Sequence, residues 1–111
     1  MEEFRKYYKF PLKYDGHSYI WTNNGEMAFT SLVSDEDTQK IVNILNGILD
    51  KKCNAQYNDG YIVIDGRKCL LVRGWGMLTG IGGYHLERNK AAEIQDKFAN
   101  WCVNRLNGGG L

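Results

Sequence analysis

Proline, histidine and cysteine are scarce in this chain of 111 residues, which has one proline, two histidines and three cysteines. Cys53, Cys69 and Cys102 are odd in number, widely spaced and form no C-x-x-C pair. His17 and His85 lie close to none of them in sequence. This pattern argues against a zinc site and against a secreted disulfide framework. We therefore expect three reduced thiols in a cytoplasmic protein that needs no metal or other cofactor.

Excess charge and long apolar runs are also lacking. The 14 basic and 13 acidic residues give a net charge of +1, which predicts neither a polyanion nor a polycation as partner. No apolar run approaches the roughly 20 residues of a membrane-spanning helix, so no membrane partner is expected. A chain of this length predicts a single domain over residues 1–111 and leaves the oligomeric state open.

What the chain does contain is a succession of apolar–polar alternations separated by glycine turns. The alternation predicts strands at 7–14, 18–22, 26–32, 61–64 and 67–73. Asp15-Gly16, Asn24-Gly25, Asp59-Gly60 and Asp65-Gly66 are typical of tight turns, and Asp-Gly between two apolar runs indicates a hairpin.

Two segments have helical periodicity. Ser34 is a good N-cap before the acidic residues 35–37, and an apolar stripe follows as far as about residues 50–52. A second helix is expected from about Asn89 to Asn107. The sequence thus predicts an α+β fold, with an antiparallel sheet of five to six strands and two helices.

The two halves of the chain, 15–52 and 58–108, resemble each other in their turn signals and in their closing Val-Asn-x-Leu-Asn-Gly segments. Val42 stands 17 positions after Gly25, and Val103 stands 37 positions after Gly66, so the second half carries about 20 more residues. The pattern predicts a duplicated strand–turn–strand–helix unit, although common turn signals can also coincide by chance. Residues 108–111 are expected to be a loose tail.

The extra residues of the second half include a glycine-rich segment, 73–85, and loops on rigid scaffolds often carry function. Its candidate binding residues are Arg73, Trp75, Tyr84 and His85. The segment has no complete dinucleotide fingerprint and no P-loop lysine. His85 has no serine or cysteine placed beside it in sequence, so a hydrolase triad has no support.

Two short motifs carry a family resemblance, Arg73-Gly74-Trp75-Gly76 and Ile94-Gln95-Asp96-Lys97-Phe98. Over residues 61–107 the chain resembles short uncharacterised proteins encoded by phages and prophages of gut bacteria. The resemblance implies a phage or mobile-element origin, and it implies no activity and no functional residues.

The leading hypothesis is a non-enzymatic interaction protein that binds a protein partner through residues 73–85. The alternative is a nucleic-acid-binding protein, because basic and aromatic residues interleave near the N-terminus and surround the glycine-rich segment. A small enzyme with its site near His85 is the third hypothesis.

Overall fold

A computed structural model describes residues 3–73, 78–80 and 83–109 of the chain. The part described contains one six-stranded antiparallel sheet with two helices, which confirms the predicted α+β fold. A short 3₁₀ helix, Glu3–Lys6, precedes the sheet. The strands and helices follow in chain order: β1 Lys13–Tyr14, β2 Tyr19–Trp21, β3 Met27–Ser31, α1 Asp35–Leu45, β4 Ala55–Asn58, β5 Tyr61–Ile64, β6 Arg67–Val72 and α2 Arg88–Leu106. The order of strands across the sheet is β1-β2-β3-β6-β5-β4.

Both helices pack on the same face of the sheet. On this face the Tyr14 hydroxyl of β1 donates to Asp35 of α1, and the Tyr57 hydroxyl of β4 donates to Asp96 of α2 at 3.0 Å. The core lies between the sheet and the helices, and its fully buried large side chains are Phe4, Tyr8, Ile20, Phe29, Ile44, Leu45, Ile62, Leu70, Leu78, Ile94, Phe98 and Leu106.

The predicted tight turns at Asp59-Gly60 and Asp65-Gly66 are confirmed, whereas Asp15-Gly16 belongs to a longer connection, residues 15–18, between β1 and β2. Asp65 and Gly66 have φ values of 52° and 80°, and Asp59 and Gly60 have values of 51° and 84°. Positive φ at both central residues gives a type I′ turn, whose twist matches that of the flanking strands. Strand β4, Ala55–Asn58, was not predicted, because Ala-Gln-Tyr-Asn is too short and too polar to give an alternation signal.

The ends of the helices differ from the predicted ends. Ser34 is the N-cap of α1 as predicted, and its side chain accepts a hydrogen bond from the Asp37 N–H. However, α1 ends at Leu45 and not near residues 50–52, since Gly47 adopts a left-handed φ of 76° just after the Asn46 cap. Helix α2 begins at Arg88, so Glu87 and not Asn89 occupies its N-cap position.

The prediction of a strand over residues 7–14 was wrong for most of its length. Only Lys13–Tyr14 pair in the sheet. Tyr8 stacks on Phe98 with ring centroids 3.9 Å apart, and Phe10 lies edge-on to Trp101 at 5.0 Å. The aromatic residues that alternate in this segment therefore pack against α2. Their spacing is that of a strand, but they do not pair in the sheet.

The two halves of the chain meet symmetrically at the centre of the sheet. In the described residues, each half contains three strands and, after them, one long helix, and the third strands, β3 and β6, pair with each other. Their partners are Phe29 with Val72, Thr30 with Leu71, and Ser31 with Leu70, so the Thr30–Leu71 pair marks the centre of the arrangement.

Each half also closes with the same side-chain clasp. The Asn46 side chain accepts from the Leu12 N–H and donates to the Leu12 carbonyl, both at 2.8 Å. The Asn107 side chain makes the same two hydrogen bonds with Ala55, at 2.7 and 3.0 Å. Duplication itself stays a prediction, and it is supported by these matching contacts.

The corresponding contacts define how the halves align. Tyr14 and Tyr57 stand two positions after the clasped residues Leu12 and Ala55, and each donates to a helix aspartate. Those aspartates, Asp35 and Asp96, each stand 11 positions before the clasping asparagine. At the end of the second half Gly109 is tied back, because its N–H donates to the Asn104 carbonyl at 2.8 Å.

Candidate functional site

Arg73, the first residue of the predicted binding loop, is exposed at the end of β6. Its backbone N–H donates to the Ala28 carbonyl at 2.7 Å, and its carbonyl accepts from the Tyr8 hydroxyl at 3.1 Å. The guanidinium Nη1 lies 3.5 Å from the Thr30 hydroxyl oxygen. The backbone of Arg73 is therefore fixed on both sides, and its charged group lies over strand β3.

Tyr84 and His85 lie at the other end of the loop, just before α2. Tyr84 is 42% exposed, and its ring stands edge-on to Tyr7 with centroids 4.6 Å apart. His85 is exposed, with a left-handed φ of 54°. Trp75 lies outside the described residues. Tyr84 and the Arg73 backbone thus contact the same segment of the chain, at the consecutive residues Tyr7 and Tyr8.

The sheet face opposite the helices carries a row of side chains that sequence reasoning did not single out. Directly paired residues share a face of the sheet. The pairs Tyr19–Thr30, Thr30–Leu71, Leu71–Tyr61 and Tyr61–Asn58 form one continuous row across five strands. We call this face the open face, because no described helix packs on it. It comprises this row together with the side chains of Lys13, Trp21, Lys68 and Arg73.

Aromatic side chains stand at one end of the row, at Tyr19, and next to the other end, at Tyr61. Tyr19 is 38% exposed, and its ring lies 6.3 Å from that of the partly buried Trp21. Tyr61 is partly buried on the far side of Leu71. The open face therefore presents one aromatic pair and one separate ring, with aliphatic and hydroxyl groups between them.

A carboxylate in the β1–β2 connection fixes the Trp21 ring. The Trp21 Nε1–H donates to Asp15 Oδ2 at 2.9 Å, and the N–H groups of His17 and Tyr19 donate to Asp15 Oδ1 at 2.6 and 3.2 Å. These bonds favour the ionised carboxylate, so the pKa of Asp15 lies below its usual value, with the Trp21 bond as the largest cause. The ring is held in place on the open face before any ligand arrives.

Three cations accompany the aromatic rings. Lys13 pairs with Trp21, and Lys68 pairs with Val63 on the same face. The Lys68 ammonium lies 4.5 Å from the centroid of the Tyr61 ring, a cation–π contact. Arg73 adds a guanidinium beside Thr30. Among the strand residues that the structure describes on this face, none is acidic.

The signal for the open face was present in the sequence as the alternation Tyr19-Ile20-Trp21. Ile20 is fully buried against the core, so its two neighbours must point to the other face. The position of Tyr61 and Lys68 beside them could not be read, because it depends on how β3 pairs with β6. Of the predicted residues that the structure describes, only Arg73 belongs to this face by its side chain.

In the described part of the chain, neither helix has the length and apolar character needed to cross a membrane. Residues 3–73, 78–80 and 83–109 also contain no cluster of three His, Cys, Asp or Glu side chains suited to a metal ion. Comparisons with protein-family models, with curated proteins and with solved structures find no match. The residues of the open face are therefore the observations that bear on function.

Proposed function

We propose that the protein is a non-enzymatic binding protein that holds single-stranded nucleic acid on its open face. The observation that carries the proposal is the row from Tyr19 to Tyr61, flanked by Lys68 and Arg73. Bases of any sequence stack on aromatic rings, and lysine or arginine beside the rings neutralises phosphates. A protein partner on the same face, or on residues 73–85, is the competing hypothesis.

The expected affinity for single-stranded nucleic acid is modest, and it should fall with salt concentration. Stacking contributes about 1–3 kcal/mol per base, and the open face offers three rings. Each phosphate neutralised on a single strand adds roughly −0.7 to the slope of log K against log salt, so three contacts give a slope of about −2. A net charge of +1 agrees with a small local patch and not with a chain that is basic throughout.

The phage origin and the cytoplasmic location expected from the sequence belong to this proposal. They are supported by the two short motifs and by the three free thiols, respectively. A phage origin favours a small binding protein made during infection, and the open face suits a nucleic-acid ligand.

Fluorescence anisotropy with a labelled oligo-dT of about ten nucleotides tests the proposal. We expect saturable binding with a log–log salt slope of about −2. Tyr61→Ala should weaken binding roughly tenfold through lost stacking. Lys68→Gln should bring the slope closer to zero by about 0.7. Lys97→Gln, which removes the same charge from α2 on the opposite face, should leave both quantities unchanged.

Tyr84→Ala separates the open face from the predicted loop. A large loss of affinity for Tyr84→Ala with none for Tyr61→Ala would move the site to residues 73–85. Absence of saturable binding at low salt would overturn the proposal and leave the protein-partner hypothesis. Preference for duplex over single strand would also contradict it, because paired bases present no free ring face for stacking.

A further inference from the structure

A second candidate site, independent of the open face, is a groove on the helix side of the sheet. It lies between α1 and the β5–β6 hairpin, and the segment 51–54 borders it. Its volume is about 640 Å³, within the range of small-molecule sites. The apolar side chains and thiols that line the groove are Val33, Ile41, Ile44, Ile64, Cys53 and Cys69.

The alignment of the two halves of the chain shows which groups occupy the space on α2 that corresponds to the groove on α1. Asp96 and Asn107 of α2 each stand 61 positions after Asp35 and Asn46, their counterparts at α1. The same shift pairs three residues that line the groove with three on α2: Asp37 with Phe98, Lys40 with Trp101, and Ile41 with Cys102.

On α2 the corresponding surface is covered by aromatic rings of the N-terminal segment. The Phe98 ring centroid lies 3.9 Å from that of Tyr8, stacked, and 5.7 Å from that of Phe4. The Trp101 ring lies 5.0 Å from Phe10. On α2, flat apolar rings of the N-terminal segment therefore fill the space that corresponds to the groove on α1.

On α1, the corresponding segment of the described residues supplies no such rings. Leu12 and Ala55 correspond through the asparagine clasps, a shift of 43 positions. The same shift relates Tyr8 to Lys51 and Phe10 to Cys53, and both Lys51 and Cys53 line the groove. Lys51 and Cys53 therefore stand at the positions that correspond to the Tyr8 and Phe10 rings on α2. The groove on α1 has the corresponding space, and these two residues do not fill it with rings.

The charged side chains of the groove favour an anion. Four cations and two carboxylates line it: Lys40, Lys51, Lys52, Arg67, Asp37 and Asp65. Lys40 is already paired with Glu36 at 3.4 Å. The remaining cations still outnumber the two carboxylates, and they border an apolar floor. An aromatic body with one anionic substituent complements both features at once.

We propose that the groove between α1 and the β5–β6 hairpin binds a small aromatic anion, with its ring on the apolar floor and its anionic group at the basic side chains. The ring takes the place that Tyr8 and Phe10 occupy in the other half. Arg67 and Lys51 face the anionic group. The groove shares no lining residue with the open face.

Titration with 8-anilinonaphthalene-1-sulfonate, an aromatic anion whose fluorescence rises in apolar sites, tests the proposal. We expect saturable binding to the folded protein. Arg67→Gln, an exposed position, should weaken it roughly fivefold through the lost charge contact. Ile41→Phe, which adds a ring to the groove wall, should weaken it at least as much. Lys97→Gln is the matched control and should change nothing.

Cys53 gives a second readout inside the groove. Its thiol is partly buried, and burial raises its pKa, so alkylation is measured above neutral pH, where the thiolate is populated. The bound probe should slow alkylation of Cys53, located by peptide mass spectrometry, and Arg67→Gln should reduce that protection. Lack of saturable binding, unchanged affinity in both groove variants, or an unprotected Cys53 would each overturn the proposal.

Discussion

At the scale of single residues, the Asp15–Trp21 hydrogen bond gives a prediction about pH. The pKa of Asp15 is lowered in the folded protein, so the bond to the ionised carboxylate holds above the ordinary value of about 3.9 and is lost as the pH falls through the folded value. The Trp21 indole N–H resonance should therefore shift with a midpoint below that ordinary value. Asp15→Asn should abolish the titration, and the Trp101 resonance is the internal control. A midpoint at or above the ordinary value would contradict the assignment.

At the scale of elements, the two asparagine clasps tie the end of each helix to the start of the first strand of its own half, at Leu12 just before β1 and at Ala55 in β4. Asn46→Ala and Asn107→Ala each remove two hydrogen bonds to backbone groups, of Leu12 and Ala55 respectively. We expect each variant to lower the free energy of unfolding by about 1–3 kcal/mol. Urea denaturation measures the change. Asn100→Ala, exposed on α2, is the control and should stay within about 0.5 kcal/mol of wild type.

The correspondence of the halves adds a second condition to that experiment. Because both clasps make the same pair of bonds, the two losses should be of similar size. A loss at one asparagine with none at the other would show that the clasps are not equivalent. The alignment of the halves on which the groove argument rests would then lose its support.

At the scale of the whole molecule, Phe98 joins the N-terminal segment to the sheet through α2. It is fully buried and its ring stacks with those of Tyr8 and Phe29, with centroids 3.9 and 5.3 Å away. Phe98→Ala should lower the free energy of unfolding by about 3–5 kcal/mol. Circular dichroism and tryptophan fluorescence should still report one coincident transition, since the core is continuous. A melting temperature unchanged within about a degree would contradict this role.

The sequence by itself determined the features that depend on neighbouring residues. Asp65-Gly66 specifies a type I′ hairpin because glycine and aspartate tolerate positive φ. Ser34 specifies the start of α1 because its side chain reaches the Asp37 N–H. The apolar spacing around Ile44 and Phe98 placed both residues in the core, and both are buried. From these local rules the α+β class and most of the elements follow.

Only the tertiary structure decided which segments with a strand-like or polar pattern pair in the sheet, because that depends on contacts between distant segments. The alternation from Tyr8 to Tyr14 satisfies a strand, yet packing against Phe98 took Tyr8 out of the sheet. The short strand β4 exists because β5 offers it a full set of partners, from Ala55–Ile64 to Asn58–Tyr61.

The two candidate sites have the same origin in long-range contacts. The open face depends on the register of β3 with β6, which brings Thr30 beside Leu71 across a separation of 41 positions. The groove depends on which side chains the other half places against α1. A periodic pattern determines only which way a side chain points on its own strand or helix. The neighbours of that side chain on other elements are set by the packing that buries the most apolar surface while every backbone group stays paired.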